Sequence, residues 1–212
     1  MKKLHGTAAV TLVLTLALAL SLAWAPAYAA ESPKTVLQSY VDRFLTILKD
    51  PKYQGGADKK EQDDKIWTQI DQIFDFDGVA RLAVGRNWKK LTPEQQKEFS
   101  DVFAKLLGTI YLKKIRSGYR DQKVVLDSEE LFGENKALVR TRIIGDKTDL
   151  PVDYNMWNRG GSWRIYDVKV EGVSLVKNYR SQFDQIMLNQ DGTRLINRVK
   201  EKLAEEEKTA PM

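Results

Sequence analysis

A serine that closely follows a glycine, in Gly172-Val173-Ser174, begins like the Gly-x-Ser-x-Gly elbow that presents a nucleophile between a strand and a helix. That elbow needs a second glycine, and residue 176 is valine. It also needs a base, and the one histidine of the sequence is His5. Cysteine is absent throughout. Beyond the first residues, therefore, no Ser-His-Asp triad, thiolate nucleophile or His/Cys zinc site can be assembled. Leu175, Val176, Tyr179, Phe183, Ile186 and Met187 follow Ser174 at helical spacing, so Ser174 is expected to cap a helix.

Carboxylates give the next candidates. Asp75-Phe76-Asp77-Gly78 suggests a calcium loop, but placing Gly78 at the invariant glycine puts Ile73 and Val84 where the first and last ligands belong. The stretch reads instead as a turn in which Asp77 caps a short helix, Val79 to Val84, closed by Gly85. Asp63-Asp64 and Glu129-Glu130 are adjacent pairs whose side chains diverge, unlike a glycosidase dyad. Asp167 lies inside an apolar strand. It is either a buried general base, as in ketosteroid-isomerase-like cones, or an acid bonded to bulged backbone or to an arginine.

The elements that must position these residues fall into two groups. Helices are expected from Ser32-Pro33 to Asp50, around Ile66 to Phe74, from Thr92-Pro93 onward, after Ser174, and from Asp191. Gln95 is placed to complete a capping box with Thr92. Between them the apolar period changes to two over Lys123–Leu131, Lys136–Ile144, Thr148–Trp157 and Ser162–Val170. Short turn signals separate these runs, which predicts an antiparallel meander of four strands. Val139 and Ile143 share one face of the second strand, and Val152, Tyr154 and Met156 one face of the third. In the fourth, Trp163 and Ile165 are out of phase with Val168 and Val170, so a bulge near Asp167 is expected to keep both pairs inward. Leu106 and Ile110 lie on the broad apolar face of the long helix before the sheet. That face, with Tyr179 and Phe183, is expected to cover the inner face of the sheet. Val173 and Leu175 line the sheet–helix joint, where Arg81, Lys177 and Arg180 offer cations for a partner.

The first 29 residues read as an export signal. Lys2 and Lys3 precede an apolar run, Thr11 to Trp24, and Ala27-Tyr28-Ala29 supplies the cleavage pattern. Residues 30–212 then form a single domain, with a frayed tail from about residue 205. Lys2 and Lys3 are two of 34 basic residues, so the remainder carries 32 against 29 acids. That balance excludes the basic stripe of a nucleic-acid binder.

Three stretches, "FDFDGVARLAVGRNWKKLTPEQQKEFSDVFAKLL", "LPVDYNMW" and "WRIYDVKVEGVSLVKNYRSQF", in this order closely resemble the MlaC family, also called the toluene-tolerance auxiliary family. The resemblance implies a soluble periplasmic phospholipid carrier, with no enzymatic activity and no cofactor beyond its lipid cargo. It also implies partners: an inner-membrane ABC transporter complex and an outer-membrane lipoprotein–porin complex. Together the readings give an α+β fold, a four-stranded twisted antiparallel sheet wrapped by about six helices in a cystatin-like cone around an apolar lipid pocket. Two other readings stay open, a cone-fold periplasmic enzyme using Asp167 and an adaptor that binds no lipid.

Overall fold

In the computed structural model, residues 31–56, 58–188 and 191–209 are described. The expected export signal lies outside them, and no described helix is long and apolar enough to cross a membrane. Helix α1, Pro33–Lys49, starts where the Ser32 hydroxyl accepts the Thr35 N–H, and stops at Asp50 ahead of Pro51. Residues Pro51–Gly56 form a 3-10 turn where a loop is expected from sequence. Helix α2 is Lys59–Ile73 and α3 is Phe76–Val84.

The cap of α3 is Asp75, whose carboxylate accepts the Gly78 N–H, and not Asp77. Either acid of Asp-Phe-Asp suits the motif. Asp75 is selected because Phe74 bridges to Ile165, which fixes the chain path one residue earlier. Gly85, at φ 60°, then closes α3 and opens a 3-10 turn to Lys90. Helix α4, Pro93–Gly118, begins with the full Thr92/Gln95 capping box.

Strands β1 (Lys123–Leu131), β2 (Lys136–Gly145), β3 (Thr148–Arg159) and β4 (Ser162–Val170) form the expected antiparallel meander, in that spatial order. A fifth strand, β5 (Val173–Ser174), extends it, a correction to the expected four. Glu171 and Gly172, at φ 50° and 78°, make a tight turn that returns the chain so that Val170 pairs with Val173 and Lys169 with Ser174. Two residues are too few to show a strand period.

The expected bulge is present. Asn155 pairs with Asp167 and Met156 with Ile165, so Tyr166 is the unpaired extra residue. Its consequence is geometric: Trp163, Ile165, Val168 and Val170 all share the face of Met156, Tyr154 and Val152. Helix α5, Leu175–Met187, follows β5, and α6, Gly192–Lys208, is capped by Asp191. The latter remains helical through Lys208, past the point where fraying is expected. Lys202 pairs with Glu205 and Glu206, and Lys113 of α4 bonds the Thr209 carbonyl.

The buried side chains gather in two clusters. One joins Leu37 of α1 and Ile73 of α2 to Ala137, Val139, Met156, Trp163 and Ile165 of the sheet. The other is built from helices α3 to α6, with Phe99, Phe103 and Phe183 in edge-on or tilted contact at its centre. Phe74 packs on both. Helix α2 is keyed to α4 at Gly108, where an added Cβ would lie 2.3 Å from Trp67 Cζ3. Trp67 in turn stacks on Phe76, and Phe76 on Phe74.

Candidate functional site

A sheet face that serves only as core is covered along its whole width. Here the cover thins toward β5. Thr141, Val152, Val170 and Val173 are successive cross-strand neighbours, and their exposures are 1%, 4%, 37% and 62%. One row, apolar from Val152 onward, therefore runs from a closed interior to open solvent.

Tyr154 shows the same property deeper in the sheet. It pairs with Val139 and Val168 and packs against the sheet cluster. Burial pushes its phenol up to about 12, yet part of its surface remains accessible. Tyr154 is thus a half-buried residue on the apolar face, with surface that the protein does not cover.

The residues expected to hold an apolar ligand divide by burial. Leu106, Val139, Val152, Met156, Trp163, Ile165 and Phe183 are buried by the protein itself, and offer no free surface in this arrangement. Ile110, Ile143, Tyr154, Val168, Leu175 and Tyr179 are half-buried, and Val173 is exposed; these keep apolar surface for another molecule. The helical members do not sit across from the sheet face. Leu106 and Phe183 belong to the all-helical cluster, with Ile110, Leu175 and Tyr179 packed beside them. The inner face of the sheet is instead covered by Leu37, Val36, Tyr40 and Val41 of α1 with Ile73 of α2. The reason is that the apolar stripe of α4 is taken up by α6 and the aromatic contacts to α5.

Ile110 and Tyr179 line a half-open groove of about 510 Å³ between α4, α5 and α6. Tyr111, on the same apolar face of α4, lines it too, with Asn178 and Gln182 of α5, exposed polar positions that carry no signal in the sequence. Burial pushes the Tyr179 phenol to about 12, and burial also raises Tyr111.

Both oxygens of Asp167 are engaged. One accepts the Ser174 hydroxyl at 2.6 Å and the other the Val176 N–H at 3.0 Å, while Ser174 accepts the Lys177 N–H. Asp167 thus bonds neither bulged backbone nor an arginine, but anchors the first turn of α5 to β4. An anion there is also favoured by the helix dipole. Asp75 is likewise saturated, accepting from Gly78 N–H, Trp157 Nε1 and Arg159.

Of the three cations expected at the joint, Arg180 is committed. Its guanidinium donates from Nε to the Leu82 carbonyl at 2.8 Å and lies over Gly85. Arg81 and Lys177 are exposed. Among the described residues, no group of His, Cys, Asp and Glu is arranged to hold a metal.

An open antiparallel sheet with helices over its inner face and apolar side chains left accessible between them is the framework of a container protein. The sequence model of the MlaC family matches residues 38–201, and the chain belongs to that family. It is 27% identical over 161 residues to the toluene tolerance protein ttg2D of Pseudomonas putida, covering 75% of this chain and 74% of that protein. It is 24% identical over 185 residues to the intermembrane phospholipid transport system binding protein MlaC of Haemophilus influenzae, covering 82% and 84%. Its fold matches that of a phospholipid-binding protein from Ralstonia solanacearum, solved with a phospholipid, with a TM-score of 0.74 and 24% identity over 84% of this chain and 99% of the other.

Proposed function

We propose that this protein is a periplasmic phospholipid carrier that holds acyl chains against the inner face of its sheet and passes them between membrane complexes. Tyr154 carries the reading: a desolvated phenol with accessible surface, beside Val168 on an apolar face that opens toward β5. Family membership supports it, as does the phospholipid bound by the Ralstonia protein of like fold.

The energetics define how such a carrier works. At roughly 0.8 kcal/mol per buried CH₂, two long acyl chains leaving water gain about 20 kcal/mol, near the ceiling of non-covalent affinity. Release into water is then negligibly slow. Cargo leaves only into another apolar site, so a partner must dock over the opening: an ABC transporter complex at the inner membrane, or a lipoprotein–porin complex at the outer membrane. Export by the N-terminal signal places the carrier between the two. Exposed Arg81 and Lys177 are cations suited to acidic partner surfaces.

The test is lipid extraction from purified protein, with phosphorus and mass analysis. Near-stoichiometric phospholipid is expected. Protein that carries none, and takes up none from vesicles, refutes the reading.

A further inference from the structure

Tyr154 puts a polar group on the apolar inner face of the sheet and gives it no partner. Its hydroxyl makes no hydrogen bond among the described residues, yet protein does not seal it in. The hydroxyl of Thr141, on the same face, is by contrast spent on the Val152 carbonyl at 2.8 Å. The Tyr154 ring packs on the sheet cluster beside Val139 and Val168. Burial keeps the phenol protonated far above neutral pH, so it is a donor. Exposure falls along this face from Val170 at 37%, through half-buried Val168 and Tyr154, to Ile165 at 1% and Met156 at 0%. Residues of one face are two apart, so Tyr154 stands roughly 7 Å in from Val152, the cross-strand neighbour of Val170.

In lipid-free protein, water can serve such a hydroxyl. Hydrocarbon laid over it displaces that water and supplies no acceptor, and a donor left unpaired there is costly. In a phospholipid, the carbonyl nearest to each acyl chain is that of the ester that begins it. We propose that the Tyr154 hydroxyl donates to an acyl ester carbonyl of the bound lipid, selects ester-linked over ether-linked chains, and sets how far the molecule enters. The proposal rests on the carrier reading and deepens it. The ester is where a phospholipid passes from head to hydrocarbon, and Tyr154 is where this face passes from exposed to closed.

The test is competition between linkages. Lipid-stripped protein is incubated with vesicles of equal diester phosphatidylglycerol and its diether counterpart of the same chain length, re-isolated and extracted. The wild type should carry the ester lipid enriched roughly three- to tenfold, the scale of one neutral hydrogen bond. Tyr154→Phe should bring the ratio to that of the vesicles. Thr141→Val, which removes a hydroxyl already bonded to backbone, should keep the enrichment. In infrared spectra of protein loaded with the ester lipid, the carbonyl stretch should lie lower in the wild type than in Tyr154→Phe. Equal ratios in wild type and Tyr154→Phe with lipid present in both, or carbonyl bands at one frequency, overturn the hydrogen bond and leave the carrier standing. Loss of both lipids in equal measure from Tyr154→Phe points to the phosphate they share and likewise overturns it. Absence of phospholipid from the wild type overturns both readings.

Discussion

Truncating Met156 and Ile110 separately distinguishes wall from filling. Met156 is fully buried in the sheet cluster, so Met156→Ala removes contacts the protein makes with itself. Loss of its three outer heavy atoms costs about 2 kcal/mol at roughly 0.8 kcal/mol per methylene equivalent. The new cavity brings the total into the 2–5 kcal/mol range, near 3 kcal/mol. Ile110 borders a groove that already exists, and part of its surface is accessible. Ile110→Ala should cost lipid-free protein only about 1 kcal/mol, with no added cavity term. For a domain of this size each kcal/mol moves the midpoint by roughly 2–4 °C. Calorimetry of lipid-stripped protein should therefore show drops of about 6–12 °C for Met156→Ala and about 2–4 °C for Ile110→Ala. In the loaded state Ile110→Ala should lose more, because ligand stabilisation falls as affinity falls. Equal shifts in the stripped protein would refute the division. So would a Met156→Ala protein of undiminished stability that no longer binds lipid, which would place Met156 against the tails.

Three further outcomes follow from the geometry. Asp167→Asn leaves either the Ser174 hydroxyl or the Val176 N–H facing an amide donor, and should cost about 1–3 kcal/mol in a urea melt while phospholipid binding persists; an unchanged melt would remove Asp167 from the joint. Lys177→Glu/Arg81→Glu should slow lipid handover to acceptor complexes at low salt with bound lipid unaffected, and Arg180→Ala should instead lower the thermal midpoint through its lost bonds to Leu82. Tyr154 and Tyr179 are raised from 10.0 to about 12 by burial, so the unfolded chain gives up these protons first. Their contribution is whole below pH 10 and is lost as pH rises toward 12, and Tyr154→Phe/Tyr179→Phe should flatten the stability loss over that window.

The fold was legible where local chemistry is decisive. Ser32, Thr92, Ser174 and Asp191 all cap the helices expected of them. The phase change around Asp167 announced a bulge because alternation permits no other way to turn both apolar pairs inward. What the sequence hid is set by residues far apart in the chain. Asp75 displaces Asp77 as a cap while holding Trp157 and Arg159, and Arg180 is drawn to a carbonyl of α3. The candidate site was legible by face but not by partner. Val139, Tyr154 and Met156 do share the inner face, yet amphipathic spacing alone does not say whether α1 or α4 will cover it. Nor does it separate buried Met156 from half-buried Tyr154, since both have the same parity.

Tyr166 also governs how the length of this strand can change. Removing Tyr166 itself makes the ladder continuous with Trp163, Ile165, Val168 and Val170 still on one face, whereas removing any other single residue between Trp163 and Val170, with the bulge kept, turns the inward residues on one side of the gap to the outer face. Adding one residue on either side of the bulge has the same effect. Insertions and deletions in β4 are therefore constrained by arithmetic parity, and single-residue drift can accumulate only at Tyr166 and at the Gly160-Gly161 and Glu171-Gly172 turns, where the chain carries no inward side chain.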